Sequence, residues 1–205
     1  MTVTRRGTLF VVSAPSGAGK TTLCREVRQR VPALAYSVSV TTREPRAGET
    51  NGVDFEFVDE GHFRKMIDAG AFAEHAVVHG HHYGTRASTL ERALAAGTDV
   101  LLDIDTQGAA RLKQHSPEAV LIFIVAPSMG ELEQRLRERR SDKDDDIARR
   151  LRRAREEIAL WRHYDYLIVN RDVKEALDQL EAIIAAERAR TRRLTLHFTD
   201  LEVPN

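Results

Sequence analysis

The sequence has a single cysteine and no long apolar run, and these two shortages exclude several classes of protein. Cys24 has no second cysteine to pair with, so the chain can form neither an internal disulfide bond nor a cysteine-based zinc site. We expect Cys24 to be a small buried hydrophobe in a reducing compartment. No segment approaches the roughly 18 apolar residues of a membrane span, and the apolar run after Arg5 and Arg6 is too short for a secretory signal. We therefore expect a cytoplasmic protein with no membrane partner.

An excess of charge of either sign is also lacking. The 205 residues include 31 basic and 31 acidic side chains, so the formal net charge is zero. A balanced chain is not attracted as a whole to nucleic acid or to a membrane surface, and any basic function must be local. The length is sufficient to bury a sizeable core, and we expect one compact domain with small inserted subdomains.

The most informative stretch is residues 14–21, APSGAGKT, which lies between a short apolar run and the segment LCREVRQRV. This order predicts a strand, a glycine-rich turn and a helix. Gly17 and Gly19 allow the backbone to turn with its amides pointing inward, Lys20 can reach the β- and γ-phosphates of a nucleotide, and the Thr21 hydroxyl can bind Mg²⁺. An ordinary strand-to-helix turn is the alternative, and the flanking strand and helix favour phosphate binding.

The rest of the chain alternates between strand and helix patterns, which predicts an α/β fold. Residues 99–104 (DVLLDI) and 119–125 (AVLIFIV) are almost continuously apolar, as parallel strands covered by helices on both faces are. Between residues 37 and 85 the predicted strands follow one another without crossover helices, which indicates a small antiparallel or mixed sheet inserted into that frame. We predict one strand over residues 35–41 and assign no structure from residue 191 onward.

Two acids close the apolar strand DVLLDID. Asp103 and Asp105 stand two residues apart and therefore project to the same face of the strand. Ligands of open parallel sheets bind at the carboxyl ends of the strands, so these acids should lie near the phosphate loop, and one of them can hold Mg²⁺. The alternative is that they cap the helix that follows.

Arginines form two further groups. Arg43 and Arg46 flank Pro45 in the polar loop TTREPRAG, where they can grip a phosphate, although exposed loop arginines are as often solvated. Arg135, Arg139 and Arg150 fall on two consecutive predicted helices, which could close over a nucleotide and deliver positive charge to a transferring phosphoryl group. The alternative for this second group is a solvated face paired with neighbouring aspartates.

The segments APSGAGKT, SVSVTTREPRAGETNGVDF, LLDIDTQG, RLRERR and YDYLIVN, in this order and at these intervals, resemble the guanylate kinases. The resemblance covers essentially the whole chain through residue 190. It implies a P-loop NTPase-like parallel sheet flanked by helices, built from residues 1–36, 90–128 and 162–205. It also implies an inserted small mixed β/α GMP-binding subdomain (residues 37–89) and a helical lid (residues 129–161).

The implied activity is Mg²⁺-dependent transfer of the γ-phosphoryl group of ATP to GMP, and also dGMP, in purine nucleotide metabolism. By position, the guanine contacts are Ser39, Glu74, Thr85 and Asp105, and the contacts to the GMP phosphate are Arg43, Arg46 and Tyr83, with Phe55 beside them. The ATP contacts are Ala14, Pro15, Ser16, Gly17, Ala18, Gly19, Lys20, Thr21, Thr22 and Asn170. The residues expected to act in catalysis are Lys20, Arg43, Arg135, Arg139 and Arg150, and those expected to hold Mg²⁺ are Thr21 and Asp103.

The chemistry of guanine agrees with this assignment. Guanine offers donors at N1 and N2 and an acceptor at O6, so the carboxylates of Glu74 and Asp105 suit the donors and the Ser39 hydroxyl suits O6. The chain departs from the usual pattern at Phe55, where the family usually has a phosphate-binding tyrosine, and at Glu138 and Arg140, where the lid usually has glycines.

Three other functions deserve comparison with this one. A non-catalytic guanylate-kinase-like protein-binding module would need neither Lys20 and Thr21 nor the lid arginines. A P-loop GTPase would need an N-K-x-D-type motif, which the sequence around Asn170 does not supply. Nucleic-acid binding through RRLRRAR is disfavoured by the zero net charge and the interleaved acids.

Overall fold

The computed structural model describes residues 2–46, 48–78, 80–138 and 144–198. Its strands are β1 (Thr2–Arg5), β2 (Leu9–Ser13), β3 (Leu34–Tyr36), β4 (Ser39–Thr41), β5 (Phe55–Phe57), β6 (Phe72–Val78), β7 (His81–Arg86), β8 (Asp99–Asp103), β9 (Val120–Val125), β10 (Tyr166–Val169) and β11 (Leu194–His197). Its helices are α1 (Lys20–Arg30), α2 (Glu60–Asp68), α3 (Ala87–Ala95), α4 (Thr106–His115), α5 (Met129–Glu138), α6 (Asp144–Ala159) and α7 (Val173–Arg188), with 3₁₀ turns at Trp161–His163 and Thr191–Arg193. None of the helices in these ranges is long and apolar enough to cross a membrane.

A five-stranded sheet in the order β10-β9-β2-β8-β3 forms the centre of the molecule, and every pair in it is parallel. This confirms the parallel sheet predicted from the apolar runs. The middle strand, β2, leads directly into the phosphate loop, and Val12 of β2 is in register with Asp103 at the end of β8. The sheet therefore places the loop and the acidic strand end side by side.

Helices cover both faces of the central sheet because successive side chains of each strand point to opposite sides. Phe10 and Val12 of β2 pack in one cluster with α1 and α7, and Leu9 and Val11 pack in another with α3 and α4. Cys24 lies in the first of these clusters and is 2% exposed, as expected of a small buried hydrophobe. Full burial of each Val, Leu or Phe side chain in these clusters contributes about 1.5–3 kcal/mol to the stability of the fold.

The inserted sheet is also confirmed. It has the order β5-β4-β7-β6, and it is mixed because β4 pairs parallel with β5 and antiparallel with β7. Its own small core consists of Val40, Phe63 and Met66, with α2 packed against the strands. This second sheet stands beyond the carboxyl ends of the central strands and forms the opposite wall of a cleft that is described below.

One prediction about strands is wrong. Residues 35–41 do not form one strand, because Leu34–Tyr36 belongs to the central sheet and Ser39–Thr41 belongs to the inserted sheet. The same apolar and β-branched pattern suits both sheets, so it gives no sign of the crossing between them. The segment after residue 191, which we left without structure, contains β11, and β11 pairs antiparallel with β1 at the other end of the chain.

Candidate active site

The phosphate loop has the geometry that its sequence predicts. Gly17 and Gly19 have φ angles of 93° and 95°, a left-handed conformation that side chains other than glycine rarely adopt. A Cβ atom on Gly19 would also lie 2.2 Å from Nδ2 of Asn170. The loop borders a cavity of about 340 Å³, which we call the loop cavity. Its lining consists of Ala14, Pro15, Ser16, Gly17, Gly19, Lys20, Thr21, Thr22, Arg46, Val78, Asp105, Arg150, Arg153 and Glu157.

The side chain of Asn170 forms a hydrogen bond to this loop. Its side chain is 2% exposed, and its Nδ2 donates a hydrogen bond of 2.8 Å to the carbonyl of Ala18, the loop residue that is buried rather than cavity-lining. Asn170 is one of the ATP contacts that the family resemblance implies. The structure brings its side chain to the phosphate loop itself, and its contact with ATP stays a prediction.

Lys20 and Asp103 form an ion pair at the floor of the cleft. The Lys20 ammonium group also donates to the carbonyl of Ile104 at 3.4 Å. Burial by itself would lower the pKa of Lys20, but the adjacent Asp103 carboxylate outweighs burial and raises it. Lys20 is therefore a permanent positive charge facing the loop cavity, as phosphate binding requires.

A second cavity of about 210 Å³ adjoins the first, and we call it the acidic cavity. It is lined by Lys20, Ser39, Phe55, Glu74, Ala76, Val78, Tyr83, Asp103, Ile104 and Asp105. Lys20 and Asp105 line both the acidic and the loop cavity. The two cavities therefore meet at these side chains.

Besides Asp103, which pairs with Lys20, two carboxylates line the acidic cavity, and both keep hydrogen-bonding capacity for a ligand. Glu74 is 6% exposed, its Oε1 accepts a 2.7 Å hydrogen bond from the Thr85 hydroxyl, and burial raises its pKa. Asp105 uses Oδ1 to accept from the amide of Gly108 at 2.8 Å, which caps α4. Its Oδ2 is buried and has no hydrogen-bond partner among the residues that the structure describes. Asp105 is thus both a helix cap, the alternative considered above, and an open acceptor.

Gly108 is a site residue that the sequence analysis missed. A Cβ atom there would lie 2.8 Å from Oε2 of Glu74 and 3.3 Å from Oδ1 of Asp105. Any side chain at this position would displace at least one of the two carboxylates. The signal was present in the motif DIDTQG, but only the position of Glu74 on β6 shows why glycine is required there.

Arginines surround a third cavity of about 330 Å³, the arginine cavity. It is lined by Arg43, Arg46, His81, Tyr83, Arg149, Arg150 and Arg153. Arg46 and Arg150 line both this cavity and the loop cavity. Because Tyr83 also lines the acidic cavity, the predicted phosphate and base contacts lie in neighbouring spaces.

Glu49 organises the loop that carries Arg43 and Arg46, and the sequence analysis did not single it out. Its Oε1 pairs with Nη2 of Arg43 at 2.8 Å, and its Oε2 accepts from the amide of Arg46 at 2.8 Å. The hydrogen bond with Arg43 lowers the pKa of Glu49 and raises that of Arg43. Arg43 therefore has a fixed side-chain partner and is only 10% exposed, whereas Arg46 is bonded through its backbone amide and is exposed, as the solvated alternative predicts.

Phe55 contributes aromatic contacts in place of the hydroxyl that a tyrosine would bring. The Arg43 guanidinium lies 5.3 Å from the centroid of the Phe55 ring, within the range of a cation–π contact. The Tyr83 ring meets the Phe55 ring edge-on at 6.0 Å. Phe55 thus packs against two of the predicted phosphate contacts.

Arginines of α5 and α6 contact the phosphate loop and Asn170, which bonds to it. Arg150 donates to the Ser16 hydroxyl at 3.3 Å, and Arg135 bonds to Glu131 at 3.0 Å and to the carbonyl of Asn170 at 3.1 Å. Arg139 and Arg140 lie outside the described residues. Arg153 and Glu157, which also line the loop cavity, were missed because the run RRLRRARE gives no sign of which arginine faces the cleft.

Comparisons with known proteins cover nearly the whole chain. A family model described as guanylate kinase matches residues 6–187. The guanylate kinase of Geobacter metallireducens is 51% identical over 196 residues, 96% of this chain and 97% of that protein. The one from Syntrophotalea carbinolica is 53% identical over 190 residues, 93% of this chain and 90% of that protein. The crystal structure of guanylate kinase from Anaplasma phagocytophilum matches with a TM-score of 0.80 and 35% identity, covering 94% of this chain and 92% of that one.

Proposed function

The chain belongs to the guanylate kinase family, and from this premise we propose how its residues carry out the family reaction. It is an ATP:GMP phosphotransferase, a nucleoside monophosphate kinase that transfers the γ-phosphoryl group of ATP to GMP and yields ADP and GDP. The roles of individual residues, the division into insert and lid, the metal and the use of dGMP are our proposals.

The observation that carries the proposal is the junction of three cavities. The loop cavity shares Lys20 and Asp105 with the acidic cavity and shares Arg46 and Arg150 with the arginine cavity. A donor nucleotide on the phosphate loop and an acceptor nucleotide in the other two cavities would therefore meet at one place. In-line transfer between two bound phosphates requires this arrangement.

The inserted sheet binds the acceptor. Glu74 and Asp105 accept hydrogen bonds from N1 and N2 of guanine, Ser39 donates to O6, and Thr85 orients Glu74. Adenine presents an unprotonated N1 to the same carboxylates, and a site built on hydrogen bonds rejects such an analogue because its buried polar groups are left unpaired. Arg43, Arg46 and Tyr83 hold the acceptor phosphate, and Phe55 packs against Arg43 and Tyr83.

The loop and the helical lid act on the donor. The loop amides and Lys20 hold the β- and γ-phosphates, and Arg135, Arg139 and Arg150 stabilise the charge on the transferring group. Ser16, Gly17 and Thr22 contribute to the same cradle, and Asn170 lies beside it. The acceptor phosphate is already an anionic nucleophile, so the chain needs no general base. Closure of the lid over residues 37–89 excludes water from the reacting phosphates.

The residues around Lys20 also fit a magnesium ion. Mg²⁺ is usually held by one or two carboxylates, waters and phosphate oxygens. Thr21 lines the loop cavity, and Asp103 lines the adjoining acidic cavity and pairs with Lys20, which lines both, so these two side chains would hold the ion. When bound with ATP, the ion neutralises phosphate charge that Lys20 alone would have to balance.

The direct test is an ADP-release assay with ATP and magnesium, run against GMP, dGMP, AMP, CMP and UMP at equal concentrations. We expect turnover with GMP and dGMP and at least about 100-fold lower kcat/KM with the others, since the guanine contacts are specific hydrogen bonds. Omission of magnesium should abolish turnover. A folded protein that forms no ADP with any acceptor would overturn the enzyme and leave the non-catalytic binding module, which at present no observation favours.

A further inference from the structure

Arg153 is an arginine of α6 that lines the cleft and that no part of the proposed function uses. It lies three residues after Arg150, so the two side chains share the face of the helix that looks into the cleft. Like Arg150, it lines both the loop cavity and the arginine cavity. Its neighbour Arg152 is exposed on another face of the helix.

Arg153 contacts Glu157 of its own helix and Asp105, which lines the acidic cavity. Its Nε donates a 2.9 Å hydrogen bond to Oε1 of Glu157, one turn further along α6. Its Nη2 lies 3.7 Å from Oδ2 of Asp105. This is the same carboxylate oxygen that has no hydrogen-bond partner among the described residues. Glu157, whose side chain is only 14% exposed, holds the guanidinium in this orientation.

A cation is needed at this point because two carboxylates lie close together. Glu74 Oε2 and Asp105 Oδ1 would both be within 3.3 Å of one Cβ atom on Gly108, so the two groups repel each other across a partly buried space. Arg111 acts electrostatically on Glu74, and Lys20, which is paired with Asp103, also interacts electrostatically with Asp105. Among the described residues, Arg153 is the cation within ion-pair distance of the Asp105 carboxylate itself.

We propose that Arg153 is a positioning residue for acceptor selection: through its ion pair with Oδ2 of Asp105 it fixes the orientation of this carboxylate, which accepts hydrogen bonds from N1 and N2 of guanine. This inference rests on the proposed function. Because Arg153 belongs to α6, Asp105 has this ion-pair partner only when α6 lies against the cleft. The choice of acceptor is thereby linked to the position of the lid that binds the donor.

The test compares Arg153→Gln, Arg153→Lys and the matched control Arg152→Gln in steady-state assays with GMP and with AMP. Arg153→Gln should raise the KM for GMP by about threefold to fivefold, the size expected for loss of one partly exposed charge pair, while kcat changes less than twofold. The ratio of kcat/KM for GMP to that for AMP should fall by a similar factor. Arg153→Lys should restore most of both losses, and Arg152→Gln should resemble the wild type.

The outcomes separate this inference from the proposed function. If Arg153→Gln keeps the wild-type KM and the wild-type ratio of GMP to AMP, the inference is wrong, although the enzyme remains a guanylate kinase. An equal loss towards GMP and AMP would also overturn it, because a merely structural or general phosphate role predicts that result. Should Arg153→Gln fail to fold, Arg153→Lys and Glu157→Gln, which only loosens the guanidinium, must each show a smaller rise in the KM for GMP. The proposed function itself fails only if the wild type does not phosphorylate GMP.

Discussion

The carboxylates of two buried regions differ in how fully the rest of the chain satisfies them. At the start of β8, which we call the closed end, Asp99 is fully buried. It accepts hydrogen bonds from Arg5 at 2.8 Å, from the Thr8 amide at 2.7 Å and from Arg188 at 2.6 Å. In the cleft, Glu74 has the Thr85 hydroxyl as its hydrogen-bonding side-chain partner, and Asp105 keeps one oxygen open. The first region is satisfied by the chain itself, and the second is arranged for a ligand.

The pKa shifts follow this difference. Burial alone would raise the pKa of Asp99, but the hydrogen bonds from Arg5, Thr8 and Arg188 outweigh it and lower the pKa. For Glu74 burial dominates, and the pKa is raised despite the Thr85 hydrogen bond. Asp99 therefore stabilises the fold in its ionised form, whereas ionised Glu74 costs stability, which guanine binding in the proposed site would offset. A buried carboxylate without enough partners marks the functional region.

The largest effect should come from the cleft. Lys20→Ala removes the charge that faces the donor phosphates, and kcat should fall by about 1,000-fold or more while the chain stays folded. The measurement is ADP release at saturating ATP and GMP, with circular dichroism as the check on folding. Lys65→Ala, an exposed lysine on α2, is the matched control and should keep wild-type turnover. Unchanged turnover in Lys20→Ala would remove the loop lysine from the mechanism.

The closed end should show the opposite behaviour, a loss of stability without a loss of chemistry. Asp99→Asn leaves Arg5 and Arg188 without their carboxylate and should lower the free energy of unfolding by about 3 kcal/mol. For a chain of this length that corresponds to a fall in Tm of about 10 °C, with kcat at 25 °C nearly unchanged. Asp178→Asn, which affects an exposed pair with Arg30, should cost less than about 0.5 kcal/mol. Equal losses of the free energy of unfolding in the two variants would show that the buried pairs of Asp99 contribute no more than the exposed pair of Asp178.

Glu74→Gln tests the cleft carboxylate for selectivity. A hydrogen bond to a charged group is worth about 1.5–3 kcal/mol, so the preference for GMP over AMP should fall by about tenfold to 100-fold. The free energy of unfolding should not decrease, because the substitution removes a buried charge whose pKa is raised in the fold. Glu91→Gln, at an exposed pair with Arg6, serves as the control. A Glu74→Gln variant that keeps its preference would show that guanine is read elsewhere.

The pH dependence extends this test. Because the folded pKa of Glu74 is raised, its carboxylate takes up a proton on acidification above the ordinary value of about 4.3, and the KM for GMP should rise there. The stability due to Asp99 is fully present above its ordinary pKa of about 3.9 and is lost only as the pH falls below that towards its lowered folded pKa. GMP binding should therefore weaken in wild type before the fold does. The acidic rise in KM should be smaller in Glu74→Gln, in which protonation of the acceptor phosphate, whose own second pKa is about 6, remains. If the wild type lost GMP binding and unfolded at the same pH, this difference between Glu74 and Asp99 would be refuted.

Phe55→Tyr should have the smallest effect. It restores the hydroxyl usual in the family at a ring that already packs against Arg43 and Tyr83. One added hydrogen bond contributes about 0.5–1.5 kcal/mol, so the KM for GMP should fall by about threefold with kcat unchanged. Phe57→Tyr, on the neighbouring ring 5.9 Å away, is the control. No change in KM would mean that the aromatic contacts replace the hydroxyl fully.

Much of the site could be predicted from sequence because its signals are local. The loop needs glycine at two left-handed positions, and the lysine and threonine that follow are fixed by the start of α1. Other parts required the fold. Gly108 is explained only by Glu74 of another sheet, Glu49 only by its two bonds to the arginine loop, and Arg153 only by the packing of α6 against the cleft.

The sequence by itself determined the phosphate loop, the parallel central strands and the order of elements that defines the family, because these depend on backbone conformation and on periodicity among near neighbours. Only the tertiary structure decided that residues 35–41 divide between two sheets, that β1 pairs with β11, and that Asp99 joins Arg5 to Arg188. These contacts join segments far apart in the chain. Which of many similar strands, arginines or acids meet depends on the surfaces left after the core has packed, and no local pattern records that choice.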